Sequence, residues 1–163
     1  EIASMVRRPT EVGLDKVAVA RKRADVALEL VSDAIRAGKA DTVVLNAGLS
    51  AVAKTGQLGR IRGFYHDTYP AAGIERDLRT HRAFVSALVR SKRLKEALQV
   101  KEDVEVAGGK VDVVTYGEIM RHMANRGMVR EGLDILLECE RAWGEIPKEV
   151  WVKKLRRLCV KEG

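Results

Sequence analysis

The side chains in this sequence that could do chemistry are mainly cations. Lys and Arg number 30 against 23 Asp and Glu in 163 residues, a formal charge of +7, and such an excess attracts polyanions. Bond-making chemistry is poorly served. His66, His81 and His122 have no carboxylate or cysteine at metal-ligand spacing, which argues against a metal site. Cys139 and Cys159 sit in apolar-periodic stretches and form no CxxC pair. Each reads as a small buried hydrophobe, not a nucleophile or disulfide half, and a reducing compartment fits. The glycines and lysine at 108–110 lack the glycine spacing and the Ser/Thr of a phosphate-binding loop. A nuclease would need at least two clustered carboxylates for metal. No catalytic residue, metal, cofactor or small-molecule substrate is therefore expected.

The elements that must position the cations are helices in a repeat. Segments beginning at Thr42, Leu78 and Val113 lie 36 and 35 residues apart, and a fixed period of this size marks a stacked array. Each reads as an amphipathic helix followed by a short basic or glycine turn. Leu45, Leu49 and Val52, then Phe84 and Leu88, then Ile119 and Met123 recur at helical spacing. A second helix follows in each unit, with Glu96 to Leu98 echoed by Glu131 to Leu133, and Ile61 and Phe64 supplying the stripe in the less regular first unit. The stretch at 111–116 is strand-like in composition, but its register assigns it to a helix.

Punctuation supports the same array. Gly38, Gly73 and Gly108 fall 35 residues apart, where a second helix needs a left-handed cap. Asp41, Asp77 and Asp112, followed in register by Pro147, sit where Asp caps or Pro opens the next helix. The spacing predicts three repeats, 42–77, 78–112 and 113–147. Residues 1–41 read as a degenerate leading repeat or cap, with helices over 14–22 and 24–37, and 148–163 as a capping helix. No run approaches the ~18 apolar residues of a membrane span. Because the chain starts at Glu1 rather than Met, a removed leader or a fragment is expected.

Residues 112–144 and 41–58 resemble the pentatricopeptide repeat family. The 35-residue period, the Val113-Val114-Thr115-Tyr116 opening of a first helix and the basic-or-glycine turn carry the likeness. It covers 41–147 well and the flanks weakly. Tetratricopeptide repeats keep 34 residues and a Trp, Leu-Gly, Tyr, Ala, Phe pattern that this chain lacks. The resemblance implies an all-α, right-handed solenoid of helix-turn-helix repeats whose first helices line a groove for single-stranded RNA, about one base per repeat.

In that family two residues per repeat read a base edge, and on this sequence the pairs are Asn46 with Asp77, Arg82 with Asp112, and Gly117 with Pro147. Only the first is a recognised combination, of the kind associated with uridine. An aliphatic residue that wedges between bases is matched by Val43 and Val114, with Arg79 between them in register. Phosphate-facing positions fall on Lys54, Arg90 and Asn125, and Arg82, Arg121, Arg126 and the cations at 153–157 widen the positive field. Trp143 and Trp151 are expected to pack the last repeat against its cap rather than stack on bases.

The resemblance thus implies a non-catalytic RNA-binding protein of a mitochondrion or chloroplast, acting in RNA processing, stability or translation. Its partners would be single-stranded or ribosomal RNA and the neighbouring proteins of a ribonucleoprotein such as a ribosome. Three bases cannot single out a transcript when each discriminating contact contributes ~1–3 kcal/mol. The alternative is a protein-interaction scaffold with no RNA in its groove, and the position of the positive charge discriminates the two.

Overall fold

The computed structural model describes residues 9–147 together with 152, 153, 157 and 160. All regular structure among the described residues is helical, and the chain divides into two compact units, Glu1–Ile74 and Glu75–Gly163. The proposed capping helix at 148–163, with Trp151 and Cys159, lies almost entirely outside the described residues.

The first unit opens with α1, Pro9–Arg36. The two helices expected over 14–22 and 24–37 are one, because the residues at their junction, Lys22, Arg23 and Ala24, are all good helix formers and none breaks or caps a helix. What ends α1 is Gly38 at φ +64, with Lys39 N–H donating to Ala34 C=O at 2.9 Å, a bond that closes the last turn only around a left-handed residue. Gly73 and Gly108 repeat the device with donors from Ile74 and Gly109.

Next come α2 (Thr42–Ala53), α3 (Leu58–Gly63), a π-helical turn (Phe64–Thr68) and α4 (Tyr69–Ala71), the last three running continuously. A π turn accommodates one extra residue in a helix. Between Gly56 and Gly73 the chain holds one residue more than between Lys92 and Gly108, so the 36-residue spacing of the first repeat is taken up there. Its core is Leu45, Leu49, Val52, Ile61, Phe64 and Tyr69 against Ala24 and Val31 of α1. Phe64 and Tyr69 meet edge to face at 5.8 Å. Gly48 lets this core close, since a Cβ there would stand 2.8 Å from Val31 and 2.9 Å from the Phe64 ring.

The second unit contains two hairpins: α5 (Leu78–Arg90) with α6 (Leu94–Val106), and α7 (Val113–Asn125) with α8 (Val129–Trp143). First helix α5 packs on first helix α7, and each packs on its own second helix. Phe84, Leu88, Ile119, Met120 and Met123 are wholly or almost wholly buried. The segment that resembled a strand is the start of α7, as its register requires.

Candidate nucleic-acid interface

Each first helix begins at an aspartate that holds its end open in the same way. Asp41 accepts from Val44 N–H at 2.8 Å, Asp77 from Thr80 N–H at 2.8 Å, and Asp112 from Thr115 N–H at 2.9 Å. Asp77 completes a capping box, its own N–H donating to Thr80 Oγ1. These bonds satisfy otherwise orphaned backbone donors. They also settle which side chains of the following turn face solvent.

On α2 the outward face runs through Val43, Asn46, Ser50 and, just past the helix, Lys54. Val43 is 73% exposed, a large apolar side chain displayed rather than packed. Asn46 is half-buried and its Oδ1 accepts from the Tyr69 hydroxyl at 2.9 Å. That bond holds the amide beside the Tyr69 ring, with its oxygen turned toward the hydroxyl. Tyr69, otherwise fully buried, acts as the bracket. Lys54 is exposed at the C-cap.

The corresponding face of α5 carries Arg79, Arg82 and Arg90, with Arg79 and Arg90 exposed. Arg82 Nη1 lies 3.1 Å from Asp112 Oδ2. Because Asp112 Oδ1 already takes the Thr115 N–H and hydroxyl, this carboxylate is engaged on both oxygens. On α7 the face carries Val114, 52% exposed, then Gly117, Arg121 and Asn125. Gly117 lies under Pro147, whose Cβ is 3.2 Å from where a Gly117 Cβ would stand.

The three expected reading pairs therefore have different local chemistry. Asn46 is held by Tyr69 in the first unit, while Asp77 caps α5 in the second. Arg82 and Asp112 neutralise each other, and Gly117 with Pro147 is an apolar contact. Sequence reasoning missed Tyr69, 23 residues from Asn46 with no local signal linking them; it paired Arg82 with Asp112 by repeat register, but not as the bridge that these residues form 30 residues apart.

Charge is segregated by helix within the second unit. First helix α5 carries three arginines and no acid, and α7 one arginine and one glutamate, whereas second helices α6 and α8 each carry two Lys or Arg against four Asp or Glu. His122 on α7 reports the positive side: burial first, then Arg126, Arg121 and Lys92, hold its pKa below the ordinary histidine value. The other side holds a cleft of about 750 Å³ lined mainly by α6 and α8, including Glu102, Glu131 and Asp134. In it Lys101, 8% exposed, pairs with Glu138 at 2.6 Å and Glu105 at 3.0 Å, and Tyr116 donates to Glu105 at 2.8 Å. Burial opposes charge on Lys101, but the two carboxylates outweigh it and hold its pKa above the ordinary value.

Trp143 is pinned in the same unit, donating from Nε1 to Val111 C=O at 2.9 Å, with the Lys110 ammonium 5.5 Å above its ring. The Trp143 partner found is thus the α6–α7 connection. Cys139 is buried, with its pKa pushed up to about 11 by burial, the state of an inert thiol.

No family model and no curated protein matches the chain. Among solved structures it is similar to the pentatricopeptide repeat protein PPR10 from maize, at 26% identity and TM-score 0.62 over 71% of this chain and 16% of that one. It is also similar to PPR10 in complex with an 18-nt psaJ RNA element, at 31% identity and TM-score 0.68 over 85% of this chain and 20% of that one. A triple cysteine-to-serine variant of that complex gives the same values. The chain spans about a fifth or less of the length of the proteins it matches.

Proposed function

We propose that this chain, an all-α array of the pentatricopeptide-repeat-like family, holds single-stranded RNA along its first helices and performs no chemistry on it. The observation that carries the reading is the charge segregation of the second unit. A polyanion is attracted to the three arginines of α5, meets no net charge on α7, and is repelled by the acid-rich α6 and α8. Two exposed valines, Val43 and Val114, support it, since they stand where the resemblance implies an aliphatic side chain that wedges between bases. The solved neighbour that carries RNA supports it further.

Base reading would be concentrated at Asn46, whose amide is held by Tyr69 and is suited to a pyrimidine edge. Arg82 with Asp112, and Gly117 with Pro147, would add affinity and shape but little discrimination. A protein with one discriminating position works beside other factors. The proposed setting is therefore a ribonucleoprotein of a mitochondrion or chloroplast, such as its ribosome, with a role in RNA processing, stability or translation.

Fluorescence anisotropy with U-rich and A-rich single strands and with duplex RNA tests this. Contacts from Lys54, Arg79, Arg90 and Arg121 to phosphate predict a log–log salt slope of about −3. Arg79→Ala/Arg90→Ala should bring it to about −1.5. Absence of single-strand binding overturns the proposal. A second reading, a protein scaffold with an RNA-free groove, draws on the Arg82–Asp112 bridge and the Gly117–Pro147 contact, which leave two reading positions self-satisfied.

A further inference from the structure

Helix α1 displays more apolar surface than its own unit covers. Ala24 and Val31 are the buried residues of its inward face. Val19, Val26 and Leu30 are 43, 56 and 63% exposed and follow one another at seven and four residues, a single stripe on another face of the helix. Three small residues, Ala20, Ala27 and Ala34, border the stripe on one side, and Lys22, Glu29 and Arg36 border it on the other.

The charge on α1 is polarised along its axis. Lys16, Arg21, Lys22 and Arg23, with Glu11 and Asp15, precede Asp25, Glu29 and Asp33, with Arg36, so four cations less two acids leave +2 on the first half and three acids less one cation leave −2 on the second. Asp25 pairs with Arg60 at 2.6 Å and Asp33 with Arg36. Lys16, Lys22, Arg23 and Glu29 are all exposed, and the first three give the basic half of the helix a charge that the acidic half could answer.

We propose that this stripe is an isologous interface with a second copy of the chain, the two α1 helices running antiparallel. In that arrangement Val19 of one copy packs on Leu30 of the other, and Val26 packs on the aliphatic stem of Arg23. Lys22 then lies beside Glu29 of the second copy, and Lys16 faces its Asp33, each contact occurring twice by symmetry. The alanines let the backbones approach closely. A parallel pair would set Asp33 against Asp33 and Lys22 beside Arg23, and a uniformly charged helix would suit only half of α1. Polarity therefore selects the antiparallel copy. A seam along a helix of this length buries on the order of 1,200 Å², the low end for a stable interface.

Sedimentation equilibrium of the full chain, from about 1 to 200 μM, tests the proposal across the range where a small interface assembles. The expected mass rises from the 18.0 kDa of one chain to twice that. Val26→Glu/Leu30→Glu should stay monomeric with unchanged helical circular dichroism. Lys22→Glu should weaken association about tenfold, and Lys22→Glu/Glu29→Lys should restore it, since the exchange keeps the two halves complementary. A wild-type chain that remains at one chain mass throughout overturns the proposal, as does a dimer that survives Val26→Glu/Leu30→Glu.

Discussion

Replacing Gly48 by alanine tests the packing that sets α2, and with it Val43 and Asn46, in place. The added Cβ would sit 2.8 Å from Val31 Cγ2, 2.9 Å from Phe64 Cζ and 3.2 Å from Phe64 Cε2. Ordinary carbon contacts lie at ~3.5–4.0 Å, so the neighbours must yield by several tenths of an ångström. Neither can yield easily: Val31 is a short β-branched residue on a rigid helix, and Phe64 is a ring wedged against Tyr69. Overpacking of this kind costs about 1–3 kcal/mol. Alanine returns up to ~1 kcal/mol of helix propensity relative to glycine, leaving a net loss of about 1–2 kcal/mol. Urea unfolding followed by Tyr fluorescence and circular dichroism should show a midpoint lower by roughly 0.5–1 M, taking a slope near 2 kcal/mol/M. Val31→Ala removes the closest atom, so the double variant should lose less than the two single losses combined, with a coupling of at least ~0.5 kcal/mol. A Gly48→Ala protein as stable as wild type, or additive with Val31→Ala, refutes the reasoning.

Tyr69→Phe removes the hydroxyl that holds Asn46; it should cost about 1 kcal/mol of stability and narrow any preference for U-rich over A-rich RNA, measured by competition binding. Lys92 holds φ +61 where Gly56 and Gly127 stand in the other hairpins, so Lys92→Gly should stabilise the chain by about 0.5–1 kcal/mol in thermal unfolding. Lys101→Ala leaves Glu105 and Glu138 facing each other in the cleft. A loss of about 2 kcal/mol is expected, below the fully buried range because both carboxylates reach solvent, and Glu138→Gln should recover part of it.

Helix starts and stops were legible because they depend on local chemistry. Aspartate caps and left-handed glycines act within a few residues, and Leu45, Phe84 and Ile119 reveal their face through helical spacing alone. The unbroken α1 was not legible, since a degenerate repeat invites a break that no residue between Lys22 and Ala24 supplies. Nor was the use made of the candidate interface. Asn46 finds Tyr69 only through the π-helical turn, and Arg82 finds Asp112 only because α5 packs on α7. Net charge told of a polyanion, but not that α6 and α8 are acid-rich enough to repel one. That division appears only once the helices are sorted into first and second members of each hairpin.

The central claim is that RNA lies on the first helices, and hydrogen–deuterium exchange with and without a single-stranded U-rich oligonucleotide tests it most directly. Added protection is predicted at the exposed N-terminal turns and connecting loops of α2, α5 and α7, around Val43, Arg79 and Val114, with α6 and α8 unchanged. Protection confined to α6 and α8, or none at saturating RNA, would contradict it.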